Sequence, residues 1–248
     1  MSKETTLRIA RPEKAADFAE AFGARGRVQI SDVLALDAAD AIHECLARHK
    51  EWNLVFTQAG QHRAVPISAF SRWPPTQRRK LEKAIYAEAR NGFQYYYATV
   101  PIYDIYHERL LPGHFFHRVF EFLNSDAVLD FVRCIASDPE IGFADAQATR
   151  YGPGHFLTCH DDAVSGKERR IAYVLNLTPI WRPDWGGALQ FFGADANIVE
   201  AYTPRFNALN LFRVPSDHSV GLVAPFAGVA RYSITGWFRA GRDPGRSF

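Results

Sequence analysis

Arg150-Tyr-Gly-Pro-Gly-His-Phe-Leu-Thr-Cys-His-Asp-Asp162 is the stretch from which the fold of this 248-residue chain is best read. Gly152-Pro-Gly154 signals a turn, and the residues after it predict a strand over 155–160 that runs into His160-Asp161-Asp162. Working outward, the chain remains a series of short segments separated by Gly, Pro, Asn and Asp. Strands are predicted over 142–150, 170–177, 187–192, 197–202, 207–213, 218–223 and 229–238. Eight short strands of this kind predict an antiparallel jelly roll.

Upstream of 141 the period changes from two to 3.6. Asp37 is placed to cap a helix running to about His49, with Ala38, Ile42, Cys45 and Leu46 on one face. A second helix is predicted over 75–90, with Leu81, Ala84, Ile85 and Ala89 on one side. Arg78, Arg79, Lys80 and Lys83 fall on the other, which reads as a solvated face or, less commonly, a patch for an acidic partner. Two more helices are predicted over 113–123 and after Ser125. No linker separates the two halves. The expectation is one α+β, mainly β domain over 1–248: a mainly helical part over 1–140, a strand-rich part over 141–240 that holds the site, and a polar tail over 239–248.

Composition narrows the function classes. Hydrophobic residues make up 47% and charged residues 23% of the chain, and 29 Lys+Arg against 27 Asp+Glu leave a formal charge of +2. That balance predicts a folded domain and gives no electrostatic case for direct nucleic-acid or membrane binding. The 14% aromatic content suits a large core or an aromatic-lined cleft. Cys45, Cys134 and Cys159 form no CxxC pair, which argues against a disulfide framework. The start, Met1-Ser-Lys-Glu-Thr-Thr-Leu-Arg8, lacks the apolar stretch of a signal peptide, and the apolar run 220–230 is too short to span a bilayer. A cytoplasmic location is expected.

Three features carry chemistry. If the strand continues through His160-Asp161-Asp162, alternation puts His160 and Asp162 on one side and Asp161 on the other. An imidazole and a carboxylate make half a metal site; the alternative is a loop aspartate capping backbone amides beside a surface histidine. His218, after Pro215-Ser216-Asp217, offers a second imidazole or is simply a hydrogen-bonded residue at a strand end. Two histidines and one carboxylate occupy one face of an octahedral ion and leave positions open, as in non-haem Fe(II) oxygenases. Arg231 shares a predicted strand face with Ser233, Thr235 and Trp237, whereas Tyr232, Ile234 and Phe238 take the other. A guanidinium inside a barrel needs a partner, either the carboxylate of a small dicarboxylate ligand or a protein carboxylate such as Asp145 or Asp195. The turn over 224–228 is expected to make the strands of His218 and Arg231 antiparallel neighbours.

These residues resemble the Fe(II)- and 2-oxoglutarate-dependent dioxygenases of the prolyl hydroxylase type. The likeness lies in Arg150–Asp162, Arg169–Thr178, Trp185–Phe192 and Phe206–Phe238, and is nearest to the branch acting on ribosomal prolyl residues and its bacterial relatives. It implies a double-stranded β-helix (jelly roll, cupin-like) with helices packed against it. It also implies His160, Asp162 and His218 as iron ligands, and Arg231 as the salt-bridge partner of the distal carboxylate of 2-oxoglutarate, assisted by Ser233. Tyr151 matches a tyrosine lining the co-substrate pocket, and Gly186-Gly187 matches a tight approach to a strand bordering the site. Asn176 departs from the pattern, standing where many relatives have a tyrosine that hydrogen-bonds that carboxylate. Tyr173 lies on the opposite strand face and cannot replace it, whereas Asn176 could donate through its amide.

The implied activity is hydroxylation of a prolyl residue in a protein, with Fe(II) as cofactor, 2-oxoglutarate and O2 as co-substrates, and succinate and CO2 as co-products. Ascorbate is a compatible auxiliary reductant. Gln94-Tyr-Tyr-Tyr-Ala-Thr-Val-Pro-Ile-Tyr-Asp104 is read as a substrate-side wall or as an ordinary strand with buried tyrosines. The competing functions are hydroxylation of a free amino acid or other small molecule, and a non-catalytic jelly-roll binding protein. Oligomeric state is not legible.

Overall fold

Alternation in the second half of the chain closes into a barrel in the computed structural model, which describes residues 5–245. Nine strands come from this half: β5 (Ile141–Ala144), β6 (Gln147–Tyr151), β7 (Phe156–His160), β8 (Arg169–Asn176), β9 (Leu189–Phe192), β10 (Ile198–Tyr202), β11 (Ala208–Arg213), β12 (His218–Val220) and β13 (Arg231–Ala240). The first half adds four, β1 (Arg27–Ile30), β2 (Asn53–Gln58), β3 (Gln61–Pro66) and β4 (Tyr95–Val100), of which only β4 falls in a segment the sequence offered as a strand. All join one antiparallel array in the order β1-β11-β8-β13-β6-β4-β7-β12-β9-β10, with β2 on β4, β3 on β2 and β5 on β13. Side chains link the two end strands, since Arg27 of β1 pairs with Glu200 of β10, and the sheet is a nearly closed jelly roll.

The expected strand over 142–150 is interrupted at Asp145-Ala146. Asp145 exchanges both its N–H and a carboxylate oxygen with the Trp237 backbone, at 3.1 and 2.8 Å, and Ala146 O accepts from Tyr103 N, at 2.9 Å. Those groups are therefore withdrawn from a continuous ladder.

Helices coat the outside. They are α1 (Ala15–Arg25), α2 (Leu36–Arg48), α3 (Ile67–Phe70), α4 (Pro75–Ala89), α5 (Ile102–His107), α6 (Phe115–Leu123) and α7 (Asp126–Ala136). Gly26, in the left-handed region at φ 67°, ends α1 by donating its N–H to Phe22 O. Asp37 does not cap α2; the N-cap is Ala35, and Asp37 sits in the first turn, paired with Arg8 at 3.1 Å. Phe116, Val119, Phe120, Val128, Val132 and Ile135 of α6 and α7 bury against Tyr173, Leu175, Ile234 and Phe238 of β8 and β13. Each such fully buried side chain contributes about 1.5–3 kcal/mol. On the far side α4 covers β2, β4 and β7 through Ile85, Leu54, Phe56, Tyr96 and Phe156.

Because one face of β8 and β13 is spent on the helices, the other faces the barrel interior. The expected polar tail is not free either: β13 continues through Ala240, and Asp243 accepts from Tyr103 Oη (2.7 Å) and meets His107 Nε2 (3.0 Å). The start and end segments 1–4 and 246–248, on which the leader and part of the tail expectations fall, lie outside the described residues. Among the described residues no helix is long and apolar enough to cross a membrane.

Candidate metal centre and co-substrate pocket

His160 and His218 face each other directly across the β7–β12 ladder, with ring centroids 4.1 Å apart. Asp162 reaches them in a way that strand alternation does not describe. β7 stops at His160, and Asp162 adopts φ 64°, a left-handed conformation that aspartate tolerates better than most residues. The turn brings its carboxylate back over both imidazoles: Oδ1 lies 3.3 Å from His160 Nε2, and Oδ2 lies 3.4 Å from His218 Nε2. Asp161 turns outward and accepts the Ala163 N–H, while its carbonyl accepts from Ser216 N at 3.3 Å, tying this turn to the segment that leads into β12.

Each ring is fixed from behind. His160 Nδ1 donates to Thr158 O at 3.0 Å, and His218 Nδ1 donates to Ser216 O at 2.7 Å. In the neutral rings the proton is therefore on Nδ1 and the lone pair of each Nε2 points at Asp162. Burial and the nearby His160 lower the basicity of His218, which favours that neutral form. Burial alone would raise the Asp162 pKa, but His160, His218 and the Trp237 indole outweigh it and hold the carboxyl below its usual range. Two imidazole lone pairs and an anion converge, with ligand atoms all within 4.8 Å of one another. Acceptors converge this way around a cation, and an N2O set on one face suits a divalent transition metal with open positions.

The same cavity, of about 640 Å3, contains Arg231. His218 and Arg231 are not on neighbouring strands: β12 pairs with β7 and β9, and β13 with β5, β6 and β8. The metal ligands and the guanidinium instead face one cavity from separate ladders. Arg231 is 1% exposed and has no carboxylate partner among the described residues. Asp145 binds the Trp237 backbone and lies 3.7 Å from Arg239, and Asp195 binds Asn197, so neither fills the role that was open to them. Arg231 Nη1 donates to Gly187 O at 2.9 Å and Nη2 to Asn176 Oδ1 at 3.2 Å, while Nε is buried without a partner. Burial pulls the guanidinium down to about 10, which leaves it a cation at neutral pH.

Tyr151 lies beneath it, with the guanidinium carbon 5.4 Å from the ring centroid, and stacks on Tyr97 at 4.8 Å. Ser233 Oγ is directed at Asn176 Oδ1, at 3.5 Å, and so acts on Arg231 only through Asn176. Asn176 does not line the cavity, and its Nδ2 donates to Ala208 O at 3.3 Å. Gly186, at φ 67°, bridges to Val223, and a Cβ there would stand 2.2 Å from Leu222 O. This close approach sets the chain so that the next carbonyl, that of Gly187, meets Arg231.

The expected tyrosine wall is a strand whose alternate residues Tyr95, Tyr97 and Thr99 line the cavity, whereas Tyr103 turns away to Asp243. The sequence reading did not assign Phe93, His62, Gln147 and Arg169 to the site. Arg169 donates to Asp162 O at 2.9 Å and lies 3.5 Å over the Trp237 ring. Trp237 was legible from its parity with Arg231, but Arg169 was hidden in the charged run 167–170.

Residues 146–239 match the model of the 2OG-Fe(II) oxygenase superfamily. Its Fe(II) and 2-oxoglutarate, with O2, are what a His-His-Asp cluster and a buried unpaired arginine in one cavity suit. The chain is 40% identical over 101 residues to prolyl 3-hydroxylase OGFOD1 of Xenopus laevis, covering 38% of this chain and 19% of that protein. The match thus spans about a fifth of the length of this curated relative. Among solved structures, a Pseudomonas putida prolyl-4-hydroxylase superposes with TM-score 0.56 at 20% identity, covering 92% of this chain and 100% of the other. A prolyl hydroxylase from Trichoplax adhaerens, solved with a hypoxia inducible factor peptide fragment, gives TM-score 0.58 at 15% identity, over 93% and 91%. At those identities the likeness is one of fold.

Proposed function

We propose that this protein is an Fe(II)- and 2-oxoglutarate-dependent dioxygenase that hydroxylates a prolyl residue in a protein substrate, releasing succinate and CO2, with the described chain acting as one catalytic domain. The observation that carries the reading is Arg231: a buried cation without a counter-ion among the described residues, facing the cavity that holds the His160, Asp162 and His218 side chains. A buried guanidinium left unpaired is costly, and a ligand carboxylate matches its remaining N–H fork. Iron held by His160, Asp162 and His218 would supply the activation of O2, coupled to 2-oxoglutarate decarboxylation, that oxidises a substrate C–H bond.

The chain's own groups do the rest. Thr158 and Ser216 carbonyls keep both Nε2 atoms aimed at one point, and Arg231 fixes the distal end of the co-substrate so that its other end lies toward the triad. The stacked Tyr97 and Tyr151, with Leu189 and Phe212, give the cavity an apolar lining. Phe93, Tyr95, His62, Arg169 and Trp237 remain for the substrate. A peptide substrate is supported by the named activity of the Xenopus relative and by the peptide bound to the Trichoplax enzyme. A cytoplasmic location is consistent with Cys45, Cys134 and Cys159 being free thiols.

The test is to supply Fe(II), 2-oxoglutarate and O2 with either proline-containing peptides or free L-proline and other amino acids. Succinate release together with a one-oxygen mass gain on a peptide prolyl residue is expected. Oxygen incorporation confined to a free amino acid would replace this reading with small-molecule hydroxylation.

A further inference from the structure

Asn176 is 1% exposed and ends β8 between two strands, opposite Ala208 on β11 and Ser233 on β13. Its amide orientation is fixed by its neighbours. As placed, Oδ1 accepts from Arg231 Nη2 and Ser233 Oγ, and Nδ2 donates to Ala208 O. The flipped amide would set N–H against the guanidinium and oxygen against a carbonyl, two repulsive contacts in a dry site. One of the two amide N–H groups is therefore committed to Ala208 O, on the side of Asn176 away from the guanidinium.

Taking the proposed 2-oxoglutarate site as given, the geometry points to Asn176 as a positioning residue for the Arg231 guanidinium, not a ligand of the co-substrate. It is a neutral acceptor that fixes the plane of the cation without cancelling its charge. Of the five guanidinium N–H groups, Gly187 O and Asn176 Oδ1 engage one each, and the unpartnered Nε is among those left for a carboxylate. Neutrality is the decisive property. A carboxylate of the same size would hold the guanidinium equally well, but it would complete the ion pair inside the protein and repel an incoming dianion.

The experiment compares wild type, Asn176→Asp and Asn176→Ala, each loaded with Mn(II) under nitrogen. It measures 2-oxoglutarate Kd by calorimetry, Mn(II) Kd, and Tm without co-substrate. The expected result is a Kd for 2-oxoglutarate raised about tenfold in Asn176→Ala, the loss of one hydrogen bond to a charged group. Asn176→Asp is expected to raise it further, to about a hundredfold, with Mn(II) affinity kept and Tm above that of Asn176→Ala. A residue that only ties β8 to β11 would lose that tie in both variants, since a carboxylate has no N–H for Ala208 O, and would leave Asn176→Asp binding 2-oxoglutarate no more weakly than Asn176→Ala; that result would overturn the inference. So would equal 2-oxoglutarate affinity in all three proteins. Ser233→Ala, which leaves the amide in place, supplies a milder variant should Asn176→Ala fail to fold, with a rise of a few fold expected and an unchanged Kd counting against the network. Wild-type protein that binds Mn(II) but no 2-oxoglutarate would fail the underlying reading, a result distinct from any of these.

Discussion

His160 and His218 are held as mirror partners: each gives its Nδ1–H to a carbonyl two residues back, and each directs Nε2 at one oxygen of Asp162. The carboxylate is the sole anion of the set, so it dominates attraction for a divalent ion. Asp162→Asn keeps the side-chain shape and tolerates the left-handed backbone while removing the charge. The expected outcome is an Mn(II) or Fe(II) affinity at least about a hundredfold weaker, roughly 3 kcal/mol, with the fold retained. Calorimetric titration with circular dichroism checks both.

Arg231→Leu removes the cation but keeps an apolar side chain in the barrel. Loss of a two-pronged charged contact amounts to about 3 kcal/mol, a rise of roughly a hundredfold in the apparent KM for 2-oxoglutarate. Arg231→Lys is expected to recover little, since a point charge cannot reproduce the fork. Metal affinity should be unchanged in both. Initial rates against 2-oxoglutarate concentration, with parallel Mn(II) titrations, provide the check.

Gly186→Ala would place a methyl group against Leu222 O in a backbone conformation that side chains resist. A cost of about 3 kcal/mol is expected, which for a chain of this size lowers Tm by roughly 6–12 °C. The displaced Gly187 carbonyl should also weaken 2-oxoglutarate binding, so thermal melts with and without the co-substrate separate the two effects.

His155, whose ring packs on Tyr96 at 4.6 Å, is driven by burial to a pKa of about 4. The unfolded chain binds its proton near the ordinary value of about 6.5, so between these values the unfolded state holds more protons than the folded one. The stability contribution is therefore complete above about pH 6.5 and is lost as pH falls toward 4. Denaturant melts across that range should show His155→Phe losing about 1–3 kcal/mol less than wild type on acidification. Identical acid sensitivity would assign the effect to other groups.

The parts of the molecule that were legible in the sequence are those governed by period. Parity separated Arg231, Thr235 and Trp237 from Ile234 and Phe238, and the structure puts the first set at the cavity and the second against the helices. What local pattern could not give were long-range pairings and breaks in the pattern. The neighbours of β12 and β13 depend on how the sheet folds over, and Asp162 joins the histidines through a left-handed turn, not by alternation. The strands β1–β3 were hidden because they lie among helices, and α1 passed unread despite Gly26 at its end. The role of Asn176 depended on which end of its amide the surrounding strands engage, a fact of tertiary hydrogen bonding.

The most direct test of a metal centre and co-substrate clamp sharing one cavity is an anaerobic titration of the metal-free protein with Fe(II) and then 2-oxoglutarate, followed by visible absorption. The account predicts a broad charge-transfer band that saturates with one equivalent of each in the wild type and is absent in Asp162→Asn. Folded, reduced wild-type protein that gives no band at saturating concentrations of both would contradict it.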